Sequence, residues 1–341
     1  MAFENVAAQP EVVRLLRAAL RSDRLPHALL FVGSKGIGRL AAADELARVY
    51  LCADRPSPDD YCGACESCRK MASGKHPDYR RAAVPEGGQL LPVNRVRDLQ
   101  KAANLTPVLG TGRVFLIADA DRMSLEAYNC FLKTLEEPPG NCLFILVASS
   151  LRDVPETVLS RCRLIRFRNL PPETVAEDLT EAGVGPEDAR WLALRSWGSP
   201  GAAEGFRQRN LHQTNAELVD RLSHLSTRDN FELSDWLNAV AGSGTDSATE
   251  ARIRLQELLE CAALYYRDLA LAAARRAASE LLNQAAAAQI RQRAADAELD
   301  ELLGCGRAVL DAVERIGANA NRQLTLDNLF TELSRRLHSS V

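Results

Sequence analysis

Ala28-Leu-Leu-Phe-Val-Gly-Ser-Lys-Gly-Ile-Gly-Arg-Leu40 joins a short, continuously apolar run to a glycine-rich turn. A helix-compatible stretch follows, from Arg39 to about Leu51. Continuous rather than alternating apolarity suits a strand buried on both faces of a parallel sheet. Gly33, Gly36 and Gly38 fit the glycine frame of a phosphate-binding loop, G-x-x-x-x-G-K-[ST]. A loop of this kind can surround an anion with backbone N–H groups at a helix N-terminus. The two residues that do chemistry in that frame are replaced. Arg39 stands where lysine is expected and keeps the charge on a bulkier, planar head. Leu40 stands where Ser or Thr would offer an oxygen to Mg²⁺.

Working outward, Val114–Ala118 and Leu143–Ala148 are two more continuous apolar runs, with weaker strand candidates near Tyr79–Val84 and Arg163–Phe167. Helical patterns at Val93–Asn104 and Ser124–Glu137 lie between them, the second stopped by Pro138-Pro139. This βα alternation predicts an α/β domain built on a parallel sheet. The Val114 strand ends in Ala118-Asp119, where a hydrolytic site of this type carries Asp and then Glu. A methyl group cannot support a metal, and Asp119 is one methylene short as a base. The loop and strand end together predict a nucleotide-binding fold that has lost its chemistry, with at most weak nucleotide binding through backbone N–H groups and Arg39.

Four of the nine cysteines fall within 17 residues, as Cys52-x₉-Cys62-x₂-Cys65-x₂-Cys68. Four thiolates suit tetrahedral Zn²⁺ with no open position, so a structural zinc module is expected, ahead of an iron–sulfur site or no metal. His76, before Pro77, is read as a turn or packing histidine rather than a substitute ligand. Cys130, Cys142, Cys162, Cys261 and Cys305 read as small apolar core residues. An odd cysteine total without a secretion signal argues against a disulfide framework.

After Phe167 the strand signals vanish. Asn169-Leu-Pro-Pro172 reads as a linker, residues 173–208 as short helices, and the remainder as longer ones with a loop at Gly242–Ser247. Leu255, Leu258, Leu259, Ala262, Tyr266 and Leu269 share one helix face. At 341 residues, 46% hydrophobic, 26% charged and a net charge of −3, the chain reads as a soluble globular protein and not as a strongly basic nucleic-acid binder. No apolar run reaches the ~18 residues that suggest a membrane span. The N-terminus carries no signal-peptide pattern, so a cytoplasmic protein is expected.

Several stretches together resemble the clamp-loader family of AAA+ proteins, and within it the delta-prime branch of bacterial DNA polymerase III. They include Leu25-Pro-His27-Ala28, Lys75-His-Pro-Asp78 and Ala120-Asp121-Arg122-Met123. Leu132-Lys-Thr-Leu-Glu-Glu-Pro-Pro139, Ser160-Arg161-Cys162 and Asn319-Ala-Asn321 continue the likeness. The resemblance implies a RecA-like AAA+ domain with the cysteine insertion (1–168), a small helical lid (169–208) and an all-α collar that oligomerises (209–341). It also implies gamma/tau motor subunits and a delta subunit as partners, with the sliding clamp and primer–template DNA engaged through the assembled complex. Motor subunits keep the Lys-Thr loop and the Asp-Glu strand end. The departures at Arg39, Leu40, Ala118 and Asp119 therefore point away from a motor, as does the lack of an arginine in Gly198-Ser-Pro-Gly-Ala-Ala203.

By pattern alone, Arg161 is a solvated surface charge. The Ser160-Arg161-Cys162 match implies instead an arginine finger acting on a neighbouring subunit's nucleotide. Two other readings are an ATP-hydrolysing motor subunit or stand-alone AAA+ ATPase, disfavoured by Leu40 and Ala118, and a zinc-containing DNA-binding protein, disfavoured by balanced charge and a long helical C-terminal part.

Overall fold

In a computed structural model of the chain, the apolar runs form five strands: β1 (Ala28–Val32), β2 (Tyr79–Ala82), β3 (Arg113–Ile117), β4 (Cys142–Ala148) and β5 (Arg163–Arg166). The structure describes residues 2–6, 8–85, 88, 90–110, 112–226, 230–243, 247–295 and 297–338. Clustering of contacts separates two compact units, Met1–Pro171 with Ser199–Ala202, and Pro172–Gly198 with Ala203–Val341.

The first unit is built on one sheet in the order β2-β3-β4-β1-β5, with every pairing parallel. Among the described residues, six α-helices connect and flank the strands: α1 (Pro10–Arg21), α2 (Arg39–Leu51), α3 (Glu66–Ala72), α4 (Val93–Ala103), α5 (Leu125–Glu136) and α6 (Glu156–Leu159). The central strands β1, β3 and β4 are buried along their whole length, as their continuous apolarity predicts. Because successive side chains point to opposite faces, each strand feeds two cores. Leu29, Phe31, Leu116, Ile145 and Val147 pack with α1 and α2 residues on one face. Leu30, Val32, Phe115, Phe144 and Leu146 pack with α4 and α5 residues on the other. Phe144 stacks on Phe115 at 5.1 Å and meets Phe131 edge-on at 5.4 Å.

Ser124 caps α5 by accepting from the Ala127 N–H at 3.2 Å, and the helix closes one residue ahead of Glu137-Pro138. One strand boundary departs from the apolar reading. β3 begins at Arg113, which is 4% exposed. Its Nη1 donates to the Ala102 carbonyl at 2.6 Å, and its Nε lies 3.5 Å from the carboxylate of Asp78, itself 1% exposed. A charged residue opens a buried strand here because a buried carboxylate faces it.

Among the described residues, the second unit is all helical: α7 (Pro172–Glu181), α8 (Pro186–Arg195), α9 (Pro200–Gln208, its first three residues grouped with the first unit), α10 (Leu211–Ser223), α11 (Asn230–Gly242), α12 (Ala248–Ala273), α13 (Ala287–Ala295), α14 (Leu299–Gly317) and α15 (Arg322–His338). All six apolar residues assigned to one face of α12 are buried. The expected loop Gly242–Ser247 has its centre, residues 244–246, outside the described residues. Asn321 accepts from the Leu324 N–H at 3.0 Å and so starts α15. Among the described residues, no helix is long and apolar enough to cross a membrane.

Candidate functional site

The loop after β1 lies at the C-terminal edge of the sheet, where open parallel sheets place their ligands. Gly38 takes φ 94° and leads into α2. Gly36 is required twice over. Its φ is 78°, and a Cβ there would come within 2.6 Å of the Ala202 nitrogen and 2.7 Å of the Ser199 Oγ. Ser199 donates to the Lys35 carbonyl at 2.6 Å, and the Gly201 N–H donates to the Gly36 carbonyl at 2.9 Å. The Ser-Pro-Gly segment, noted in the sequence only for its missing arginine, therefore lies backbone-on-backbone against the loop. A cleft of about 420 Å³ remains beside the loop, lined in part by Lys35, Leu40, Arg81, Ala118 and Asp119.

Arg39 is 7% exposed, and its guanidinium turns to the end of β4. There it donates to the Ala148 carbonyl and, at 3.3 Å, to the Ser149 Oγ. Burial pushes its pKa down, while Asp121 and Asp119 pull the other way. Asp121 fixes the same turn from the opposite side by accepting the N–H groups of Ser149 at 2.8 Å and Ser150 at 3.2 Å. These residues do not fit a magnesium–nucleotide complex. Leu40 and Ala118 offer the cleft only carbon, and Arg39, at the position of the motif's lysine, is already bonded to protein oxygens.

The four clustered cysteines come together as spaced in the sequence. Cys52 closes α2, and Cys65 and Cys68 flank the start of α3. Their sulfurs lie within 4.8 Å of one another. Four of the edges measure 3.7 Å (Cys52–Cys62), 3.9 Å (Cys52–Cys65), 3.9 Å (Cys62–Cys68) and 3.6 Å (Cys52–Cys68). A tetrahedron of thiolates at zinc–sulfur distance has edges of about 3.8 Å, so the cage has the size of a zinc site and is far too wide for a disulfide. Backbone N–H groups of Cys62, Cys65 and Cys68 point at the sulfurs of Cys52, Cys62 and Cys65 at 3.3–3.4 Å. Burial pushes the Cys65 thiol up, but N–H groups of Cys68 and Ala53 and the neighbouring thiols outweigh it, leaving it at about 6. The residues thus fit a tetrahedral metal ion.

His76 is not part of the cage. Its Nδ1 accepts the Asp78 N–H at 3.1 Å, which makes Nε2 the protonated nitrogen, donating to the Ser67 Oγ at 2.9 Å. Ser67 in turn donates to the Leu51 carbonyl at 2.6 Å. Asp78 accepts from the N–H groups of Val108 and Leu109. The Lys75-His-Pro-Asp78 stretch therefore works as a buried brace. Asp59, within the insertion, pairs with Arg21 at 2.9 Å and ties the module to α1.

Arg161 follows α6 and is half-exposed. Its Nη1 donates to the Thr157 carbonyl at 2.9 Å and to the Ser160 Oγ at 3.1 Å, and its Nη2 to the Glu136 Oε1 at 2.6 Å. Cys162 packs against the sheet core, and burial pushes its thiol up to about 12, so it acts as an apolar filler. Glu136 and the Ser199–Gly201 contact are the site features that sequence reasoning missed.

A five-stranded parallel sheet with a glycine loop after its β1 strand, followed by an all-helical region, defines a RecA-like AAA+ protein, here with altered loop chemistry. A family model described as "DNA polymerase III, delta subunit" matches residues 8–171. The delta′ subunit of DNA polymerase III from Bacillus subtilis (strain 168) is 29% identical over 325 residues, 94% of each chain. The delta′ subunit from Escherichia coli (strain K12) is 34% identical over 242 residues, 70% of each chain. The tau subunit of B. subtilis is 32% identical over 174 residues, 51% of this chain and 30% of that one. The chain belongs to the family of DNA polymerase III delta′ subunits.

Proposed function

We propose that the chain is a non-hydrolysing subunit of a DNA polymerase III clamp loader, working in the cytoplasm with gamma/tau motor subunits and a delta subunit. Through the assembled complex it takes part in placing a sliding clamp on primed DNA. The observation that carries this reading is the state of the loop: Arg39 is bonded to the end of β4, while Leu40 and Ala118 present carbon where a metal needs oxygen. Such a subunit contributes geometry rather than hydrolysis. Arg161 is its proposed chemical contribution, as an arginine finger in trans, with Ser160 bracing it and Cys162 seating the motif. A guanidinium suits the role because it stays charged and offers a planar fork to phosphate oxygens.

The proposed ion in the Cys52, Cys62, Cys65 and Cys68 cage is structural zinc. Bound there, zinc cross-links a segment too small to bury a core of its own. Division of the helical part into a lid (169–208) and an oligomerising collar (209–341) belongs to the same proposal. The test is reconstitution. The purified chain is expected to co-elute with gamma/tau and delta subunits and to show no ATP turnover of its own. Steady turnover by the isolated chain, or failure to join the complex, rejects the reading.

A further inference from the structure

The Leu132–Pro139 stretch stands out in the sequence for an acidic pair at the end of a helix. Glu136 is the last residue of α5 and Glu137 its cap. Carboxylates at a helix C-terminus oppose the helix dipole, so local preference does not explain them. A residue that breaks a local rule is expected to answer to something outside its own helix. The Glu136 carboxylate reaches across 25 residues of sequence to Arg161, and Pro138-Pro139 fixes where the helix delivering it stops.

We infer that Glu136 is the positioning residue of the arginine finger, setting the direction in which the Arg161 guanidinium faces. Three of the finger's contacts are internal: two from Nη1, to Thr157 and Ser160, and one from Nη2, to Glu136. A guanidinium has five N–H donors. The two left over, one on Nε and one on Nη2, are the donors that remain for phosphate oxygens. Thr157 and Ser160 belong to the same short segment as Arg161 and move with it. Glu136 alone among these partners comes from another helix, so it alone fixes the guanidinium against the sheet. Holding the group before phosphate arrives removes rotamer freedom that the reaction otherwise has to take away. Both side chains are partly exposed, at 36% and 48%, so water screens the pair and the finger keeps its affinity for a stronger anion.

The inference rests on the finger reading of Arg161 and is tested beside it. Clamp-loader complexes are reconstituted with the wild-type chain, Glu136→Ala, Glu136→Gln, Arg161→Ala and the Glu136→Ala/Arg161→Ala double variant. DNA-stimulated ATP hydrolysis is resolved into kcat and KM for the motor site facing this chain, with the other motor sites disabled. Glu136→Ala is expected to lower kcat about tenfold with KM unchanged, the pattern of a misdirected catalytic group. Glu136→Gln, which keeps an acceptor oxygen, is expected to recover part of the loss. In the Arg161→Ala background, Glu136→Ala is expected to add nothing. Unchanged or raised kcat in Glu136→Ala, or an equal loss with and without Arg161, overturns the positioning role while leaving the finger intact. Full activity of Arg161→Ala overturns the finger reading and this inference with it.

Discussion

The guanidinium of Arg39 donates to the carbonyl oxygen of Ala148 at the end of β4, rather than standing free over the loop that carries it. Together with the Ser149 contact and the Asp121 carboxylate behind that turn, it links the loop helix to two strand ends through protein groups alone. A loop cation satisfied in this way has little left to offer a triphosphate. Arg39→Lys alone is therefore expected not to create ATP binding, because Leu40 and Ala118 still deny the metal its oxygens. Arg39→Lys with Leu40→Thr and Ala118→Asp is expected to bind, and Asp119→Glu is needed as well for turnover. Equilibrium binding of labelled ATP to the purified variants checks this. Tight binding by the single Arg39→Lys variant contradicts it.

Asp78 and Arg113 form a buried pair, at 1% and 4% exposure. Removing one partner leaves the other charged and unpaired in the core, a change that costs about 3–5 kcal/mol. Asp78→Ala also strips the N–H groups of Val108 and Leu109 of their acceptor. Urea unfolding is expected to show a loss of that size. A loss under about 1 kcal/mol, the range of exposed ion pairs, shows that the brace is dispensable.

His76 gives the chain a pH-dependent weakness. Burial pushes its pKa down, with Asp78 opposing and Lys70 adding to the shift. Its Nδ1 must stay unprotonated to accept the Asp78 N–H. The folded pKa thus lies below the unfolded value of about 6.5, so the unfolded chain takes up the proton first. This contribution to stability is complete above that value and is lost as pH falls through the folded pKa. Melting temperatures from pH 8 to pH 5 are expected to drop for the wild type. His76→Gln should be less stable at pH 8 and show a shallower fall. Equal slopes in the two proteins reject the assignment.

The cysteine cage predicts one zinc per chain in protein prepared without chelator. Cys65→Ser should abolish it, because three thiolates and a hydroxyl hold zinc far more weakly. The segment between Cys52 and Cys68 should then become open to limited proteolysis while the sheet stays folded, since the five strands lie outside the insertion. Elemental analysis and the cleavage pattern read the two effects. A metal-free wild-type protein with the same protease resistance contradicts the assignment.

The legibility of this fold in its sequence follows the physics of each element. β1 and α2 are read to the residue, because a continuous apolar run, a glycine turn and a helix follow one another locally. The cysteine cage is legible for the same reason, its ligands lying within 17 residues. The start of β3 is missed because Arg113 becomes a core residue only through Asp78, 35 positions away. Ser199 and Lys35, 164 residues apart, and Glu136 and Arg161, 25 apart, escape the sequence likewise. Each side chain alone is an ordinary polar residue, and its role exists only where the fold brings the two together.

Arg161 is the residue on which the proposed role turns, because the chain's own loop gives a phosphate-directed arginine no work within the subunit. The measurement is steady-state, DNA-stimulated ATP hydrolysis by the reconstituted complex carrying wild-type chain or Arg161→Ala, with stoichiometry confirmed. A finger supplied in trans is worth roughly 10³–10⁵ in rate at its site. The variant is expected to assemble normally, keep its fold, and silence the one neighbouring motor site. Arg161→Lys should recover little, since an ammonium lacks the planar fork. Wild-type hydrolysis with Arg161→Ala in a complete complex rules out the finger and leaves Arg161 a surface charge paired with Glu136.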